Sequence, residues 1–283
     1  MAQIDFNATT AEVQEALPSA SIEHQIGSGG QKVVYRAEVY PHGTVALKLI
    51  KPGPTTKERT MRELAVASKL IGPYFAKIYE IGEVKIKNDD VIYIVEEFLA
   101  GETLRVRLNK EQRLSEKETI RIGEQLLEAL IKVESAGLVH RDIKPENIML
   151  LTDGRVVLLD FGIARHLNLP SLTADAAMFG PMTSGYAAPE QIKNEKRKIC
   201  NRTDLFAWAT VMYECLIGFN PFVQGCSHQG ETLSKTLMYD PPVLSGIKGD
   251  LANLIHNCLR KAIHRRPPSA VTVLKTLKNS GGA

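Results

Sequence analysis

Hydrophobic periodicity changes once along this chain, near Ala100-Gly101, and that change limits its fold more than any other feature. Before it, apolar residues recur as in strands over residues 22–26, 33–38, 44–50, 78–86 and 91–98, with Pro41-His42-Gly43 and Asn88-Asp89-Asp90 as turn signals. Between the third and fourth runs, residues 57–71 carry Met61, Leu64, Ala65, Ala67 and Leu70 at helical spacing, closed by Gly72-Pro73. After the change the pattern is helical. Ser115 with Glu118 three residues on is a capping box, and Gly123, Leu126, Leu130 and Val133 then share one face until Gly137 stops the run. Helical patterns return over residues 204–217, 251–262 and 270–277, while residues 148–151 and 156–159 around Asp153-Gly154 read as a tight hairpin. The fold class is therefore α+β and bilobal: a small, mostly antiparallel sheet lobe with one main helix over residues 22–100, and a larger, mostly helical lobe over 101–278. Residues 1–21 read as a lead-in with a short helix at 12–17 ended by Pro18, and residues 279–283 as a flexible end.

The 283 residues suffice for two such lobes, and 44% apolar with 24% charged residues is ordinary for a globular chain with a sizeable core. A net charge of +3 is too weak to imply nucleic acid or a membrane surface, so neither is expected as a partner. The cysteines Cys200, Cys215, Cys226 and Cys258 form no C-x-x-C pair and suit thiols in a reducing compartment. The N-terminus shows no basic-then-apolar signal pattern and no run approaches the ~18 apolar residues of a membrane span. The expectation is a cytoplasmic protein.

Chemistry concentrates in His140-Arg141-Asp142-Ile143-Lys144-Pro145-Glu146-Asn147, followed by Asp160-Phe161-Gly162. One carboxylate to orient a hydroxyl, a lysine for a transferring phosphate, and an amide plus a second carboxylate for a metal ion make a phosphoryl-transfer kit. Upstream, Gly27-Ser28-Gly29-Gly30-Gln31-Lys32 lies between two strand-like runs. Glycines there let main-chain N–H groups approach phosphates, although a glycine-rich hairpin taken alone is as readily a mere turn. Val45-Ala46-Leu47-Lys48 places a lysine in a strand, and Gly185-Tyr186-Ala187-Ala188-Pro189-Glu190 follows the Asp160 motif.

In this order and spacing the motifs resemble the eukaryotic-type (Hanks-type) serine/threonine protein kinases, bacterial members included. The resemblance implies the bilobal protein-kinase fold, ATP with Mg²⁺ (Mn²⁺ as the alternative ion), and transfer to serine or threonine of a protein substrate. By it, Asp142 is the base, Lys144 neutralises the γ-phosphate, and Asn147 and Asp160 ligate the metal. Lys48 is aimed at the α- and β-phosphates by Glu63, with Glu58 as the competing partner. Ile26, Gly27, Ser28, Gly29 and Gly30 cover the nucleotide. Ile26, Val34, Ala46 and Met149 sandwich the base, while Glu97 and Leu99 offer it main-chain hydrogen bonds. His140 becomes a structural residue, Asp204 a holder of the 140–147 backbone, and Arg266 (with Arg265 as its neighbour) the partner of Glu190. Arg141 resembles the arginine that receives a phosphate on the 160–190 segment, where Ser171 and Thr173 are the candidates, Thr183 and Ser184 lie nearer its end with Thr183 read as a structural contact of Asp142 and Lys144, and a transient homodimer would serve trans-autophosphorylation.

Two residues depart from the family pattern. Lys32 stands where a third glycine is expected; either Gly30 supplies the flexibility or Lys32 adds a cation near the phosphates. Glu96 stands behind the adenine, where an apolar residue or threonine is usual. A carboxylate buried there needs a partner or a proton, and either Glu96 reaches Lys48 or another polar group, altering the pocket, or it is an exposed strand carboxylate. These departures leave a nucleotide-binding pseudokinase as one alternative, and the H-x-D…N pattern, shared with aminoglycoside phosphotransferases, leaves a small-molecule kinase as another. The run Lys193, Lys196, Arg197, Lys198, Arg202 reads as a solvated basic face, or as a docking site for an acidic partner.

Overall fold

The computed structural model describes residues 7–29, 32–52, 57–159 and 185–281, with the side chains of Arg59, Arg62, Glu63 and Ser280 outside that description. The described residues divide into two compact units, one made of the chain up to Ile71 with Ala76–Ala100, the other of Gly72–Phe75 with the chain from Gly101 onward.

The first unit is built on strands β1 (Ala20–Gly29), β2 (Lys32–Val39), β3 (Gly43–Ile50), β4 (Ile78–Ile86) and β5 (Asp89–Glu97), ordered β1-β2-β3-β5-β4 with every neighbour antiparallel. Central β3 is buried from Val45 to Ile50, which fits an apolar run broken only by Lys48. One sheet face carries Val33, Tyr35, Val45, Leu47, Leu49, Val91 and Val95. The other joins Ile50, Ile92 and Ile94 to Leu64 of α2 (Lys57–Ala67), with Met61 beside them. Each large aliphatic side chain so buried contributes about 1.5–3 kcal/mol over leaving it in water. The turn before β5 falls one step earlier than the sequence suggests. Lys87 takes φ 57°, and Asp89 already pairs with Ile86.

The stretch expected as a lead-in belongs to this core. Helix α1 (Thr10–Ala16) starts at a Thr9/Glu12 capping box and buries Val13 with Ala8 against the first sheet face. The Tyr35 hydroxyl donates to the Ala8 carbonyl. Gln14 donates to the Ala20 carbonyl at 2.7 Å and accepts from the Ile22 N–H at 2.9 Å, tying the helix to β1.

In the second unit, a small sheet of β6 (Gly101–Thr103), β7 (Ile148–Leu151) and β8 (Val156–Leu158) accompanies helices α3 (Leu104–Glu111), α4 (Glu116–Ser135), the short α5 (Pro189–Ile192), α6 (Asn201–Ile217), α7 (Gln229–Met238), α8 (Gly249–Cys258) and α9 (Ala270–Gly281). Helix α6 is buried from Thr203 to Leu216, so it is covered on every side instead of striped. It approaches α4 at Gly123, where a β-carbon would meet Met212 Sδ at 2.8 Å and where Trp208 Nε1 donates to the carbonyl at 3.1 Å.

Helix bounds differ from the sequence reading at informative places. Helix α8 stops at Cys258, not at residue 262, and just past its end the carbonyls of Arg260 and Lys261 accept from Arg266 at 2.7 and 3.2 Å. Helix α9 runs into residues expected as a flexible end, with Val273 and Leu277 buried. No helix among the described residues is long and apolar enough to cross a membrane.

Candidate functional site

In the first unit, paired residues of β2, β3 and β5 share a sheet face. Val34 lies opposite Lys48 and Lys48 opposite Ile94, while Ala46 lies opposite Glu96. The face that carries Val34 and Ala46 therefore also carries Lys48 and Glu96. Gly27 pairs with Val34 at the end of this face, and a β-carbon on it would touch Val34 at 3.8 Å. Ser28 and Gly29 continue β1 opposite Val33 and Lys32, and Ile26 is 44% exposed. Gly30 lies outside the described residues.

Glu96 is buried, and its Oε1 stands 2.5 Å from Lys48 Nζ, both side chains being 9% exposed. Of the two readings of Glu96, the structure shows the one in which it reaches Lys48. Glu63 lies on α2, with its side chain outside the description. Glu97 closes β5 with its N–H on the Lys77 carbonyl at 2.8 Å; Leu99 follows in irregular backbone.

In the second unit, a short 3₁₀ turn, Pro145–Asn147, ends directly in β7, which carries Met149. The Asn147 Nδ2 donates at 2.8 Å to both the main-chain carbonyl and Oδ2 of Asp142, while Lys144 Nζ stands 3.1 Å from the same Oδ2. The structure thus gathers Asp142, Lys144 and Asn147. Because the amide nitrogen of Asn147 is committed to Asp142, its oxygen is turned away from that bond, and oxygen is the donor a Mg²⁺ ion selects. Asp160, the second expected metal ligand, lies outside the described residues, as do Phe161, Ser171, Thr173, Thr183 and Ser184.

The backbone beneath this cluster is clamped. Asp204 Oδ2 accepts the His140 N–H at 2.7 Å and Oδ1 the Arg141 N–H at 2.8 Å, while Gln191 Nε2 donates to the Arg141 carbonyl at 2.9 Å. These bonds hold Arg141 in the left-handed region at φ 67°. Burial pushes the Asp204 carboxyl up to about 7, although the two main-chain donors pull the other way. His140 is fully buried; its Nδ1 accepts the Asp142 N–H at 3.3 Å, so Nε2 carries the proton and donates to the Leu159 carbonyl at 3.0 Å. That is the structural role expected of it.

Sequence reading missed a second cluster. Arg105 on α3 donates through Nε to Glu146 at 2.7 Å, through Nη1 to Glu214 at 2.8 Å and through Nη2 to the Tyr186 hydroxyl at 2.6 Å. Tyr186 in turn donates to Glu214. Burial, then the Glu214 carboxylate, push the Tyr186 phenol far above its ordinary range, which keeps its proton in that bond. One guanidinium fork thereby joins the loop residue next to Asn147 to the segment before Pro189 and to α6. Arg105→Met is expected to destabilise the fold by about 2 kcal/mol, since it strands a buried carboxylate, and Arg105→Lys to recover only part. Urea midpoints check this; wild-type midpoints in both variants refute it.

Glu190 and Arg266 form a bidentate pair at 2.8 and 2.9 Å, with side chains 3% and 0% exposed, while Arg265 is exposed. Beside it, Lys261 Nζ lies 4.3 Å from the Phe222 ring centroid and 5.5 Å from that of Phe206. Burial lowers the Lys261 amine to about 8. Its folded value lies below the unfolded one of about 10.4, so the unfolded chain binds the extra proton between them and stability rises with pH across that window. Melting curves from pH 8 to 10.5 should show this rise, and Lys261→Met should flatten it. Lys193, Lys196, Arg197 and Lys198 are exposed, while Arg202 is partly buried and donates to the Ile263 carbonyl at 3.3 Å. Four of the five basic residues thus form a solvated face.

A family model described as "Protein kinase domain" matches residues 20–277. The chain is 34% identical over 231 residues to a probable serine/threonine-protein kinase of Streptomyces coelicolor, covering 77% of this chain and 34% of that protein. It is 31% identical over 249 residues to the serine/threonine-protein kinase PkaB of the same organism, covering 84% and 58%. To the serine/threonine-protein kinase PknD of Mycobacterium tuberculosis it is 34% identical over 202 residues, covering 70% and 29%. The chain spans between about a third and three fifths of the length of these relatives.

Proposed function

Because the chain belongs to the protein kinase domain family, we propose that it transfers the γ-phosphoryl group of ATP to serine and threonine hydroxyls of proteins, in the manner of Hanks-type kinases of bacteria. The observation that carries this reading is the Asp142 carboxylate, held by the Asn147 amide at 2.8 Å and faced by Lys144 at 3.1 Å. Asp142 would accept the hydroxyl hydrogen of the acceptor residue and take its proton as the new P–O bond forms and the bond to ADP breaks. Lys144 offsets charge on the transferring group, and Lys48 neutralises the phosphates of the nucleotide. Asn147, through its oxygen, and Asp160 would hold Mg²⁺ (or Mn²⁺), which supplies neutralisation of the β- and γ-phosphate oxygens. Val34 and Ala46, on the face of Lys48, suit one wall for the base.

These relatives are named serine/threonine-protein kinases, which supports protein substrates over small molecules. The test is transfer from γ-labelled ATP to a generic acceptor protein, followed by phosphoamino-acid analysis, on the wild type and on Lys48→Met. Label on serine and threonine that Lys48→Met abolishes is the expected result. Label on phosphotyrosine alone, or none in the wild type, defeats the proposal; label in a metabolite but not in protein favours a small-molecule kinase.

A further inference from the structure

We propose that Glu96 is a positioning residue for Lys48, a carboxylate built into the sheet that helps aim the lysine at the nucleotide's phosphates. The inference rests on the reading above in one respect, the assignment of Lys48 to those phosphates. Strands β3 and β5 pair with Ala46 opposite Glu96 and Lys48 opposite Ile94, so Glu96 and Lys48 share a face one diagonal step apart. That is the separation at which long side chains of adjacent strands meet. Nζ and Oε1 stand 2.5 Å apart, and Ile50, Ile92 and Ile94 on the same face are all buried.

Neither charge suits such surroundings alone; their charge-assisted contact offsets part of the cost of burying each. A lysine stem is long and freely rotating, whereas Glu96 springs from a central strand of the sheet. The bond orders the ammonium before any nucleotide arrives, so less freedom is lost on binding. A loosely held ammonium gives a phosphate less.

Glu96→Gln keeps the shape and removes the charge, and Glu96→Asp keeps the charge and withdraws it by one methylene. The readouts are calorimetric affinities of Mg·ATP and of adenosine, which has no phosphate, together with kcat. Glu96→Gln should weaken Mg·ATP at least fivefold and lower kcat at least tenfold while leaving adenosine within twofold, and Glu96→Asp should recover part of the ATP affinity. Equal weakening of ATP and adenosine would make Glu96 a pocket wall, and unchanged or tighter ATP binding would leave it no positioning role; either result overturns the proposal. Should Glu96→Gln fail to fold, the pair Lys48→Met/Glu96→Met removes both charges. It should bind ATP no more weakly than Lys48→Met alone, and a further loss overturns the proposal. A wild type that binds no Mg·ATP sinks this inference and the kinase reading together, whereas wild-type binding that Glu96→Gln leaves intact sinks only this one.

Discussion

Asp142→Asn is expected to lower kcat by about 10³-fold and to leave the melting temperature close to that of the wild type. General-base assistance by one positioned side chain is worth about 10²–10⁴-fold, and in the proposed role the same group would also orient the nucleophile. The fold should tolerate the change because asparagine has the shape of aspartate and the anchors of the loop lie elsewhere. Asn147 still bonds the main-chain carbonyl of residue 142, and Asp204 and Gln191 still hold His140 and Arg141. A rotated amide would present its oxygen to Asn147 Nδ2 and Lys144 Nζ, which now face the carboxylate. The KM for ATP should therefore move less than about threefold, since what is lost belongs to the transition state. Steady-state kinetics with labelled ATP check the split. A tenfold rise in KM with kcat retained would reassign Asp142 to nucleotide binding.

What could be read from sequence follows from how close in the chain the cooperating groups lie. Asp142, Lys144 and Asn147 meet across one short turn, so their spacing already implies their contact. Glu96 was legible as a problem before it was legible as a contact: an acid in an apolar strand needs a partner, and Lys48 on the neighbouring strand supplies it. The Arg105 cluster gave no such signal. Its bonds reach Glu146, Tyr186 and Glu214 at separations of 41, 81 and 109 residues, and α3 buries only Leu104 and Leu108, too narrow a stripe to show as a helix. Helix α1 was half legible: Pro18 marks its end, but its start at the Thr9/Glu12 capping box was not read, and nothing local foretells that Tyr35 closes on Ala8. Tertiary partners decided these cases, where local pattern could not.

The same dependence on distant partners makes Arg266→Met the most destabilising single change foreseen, at about 3–5 kcal/mol. Arg266 holds both oxygens of Glu190 and also takes the carbonyls of Arg202 (3.0 Å), Arg260 and Lys261, all with its side chain fully buried. Removing it strands a buried carboxylate and three main-chain acceptors at once, whereas Thr203 Oγ1, at 2.8 Å, would still serve Glu190. Glu190 precedes Gln191, which bonds the Arg141 carbonyl, so loosening it should reach the 140–147 loop as well. The melting temperature should fall by roughly 10 °C for a domain of this size. The pair Glu190→Met/Arg266→Met should be more stable than Arg266→Met alone, because no unpaired charge then remains buried. Equilibrium urea denaturation of the two single variants and the double variant closes the cycle. Additive losses would mean that Arg266 acts through the three carbonyls it caps and that its ion pair with Glu190 contributes little.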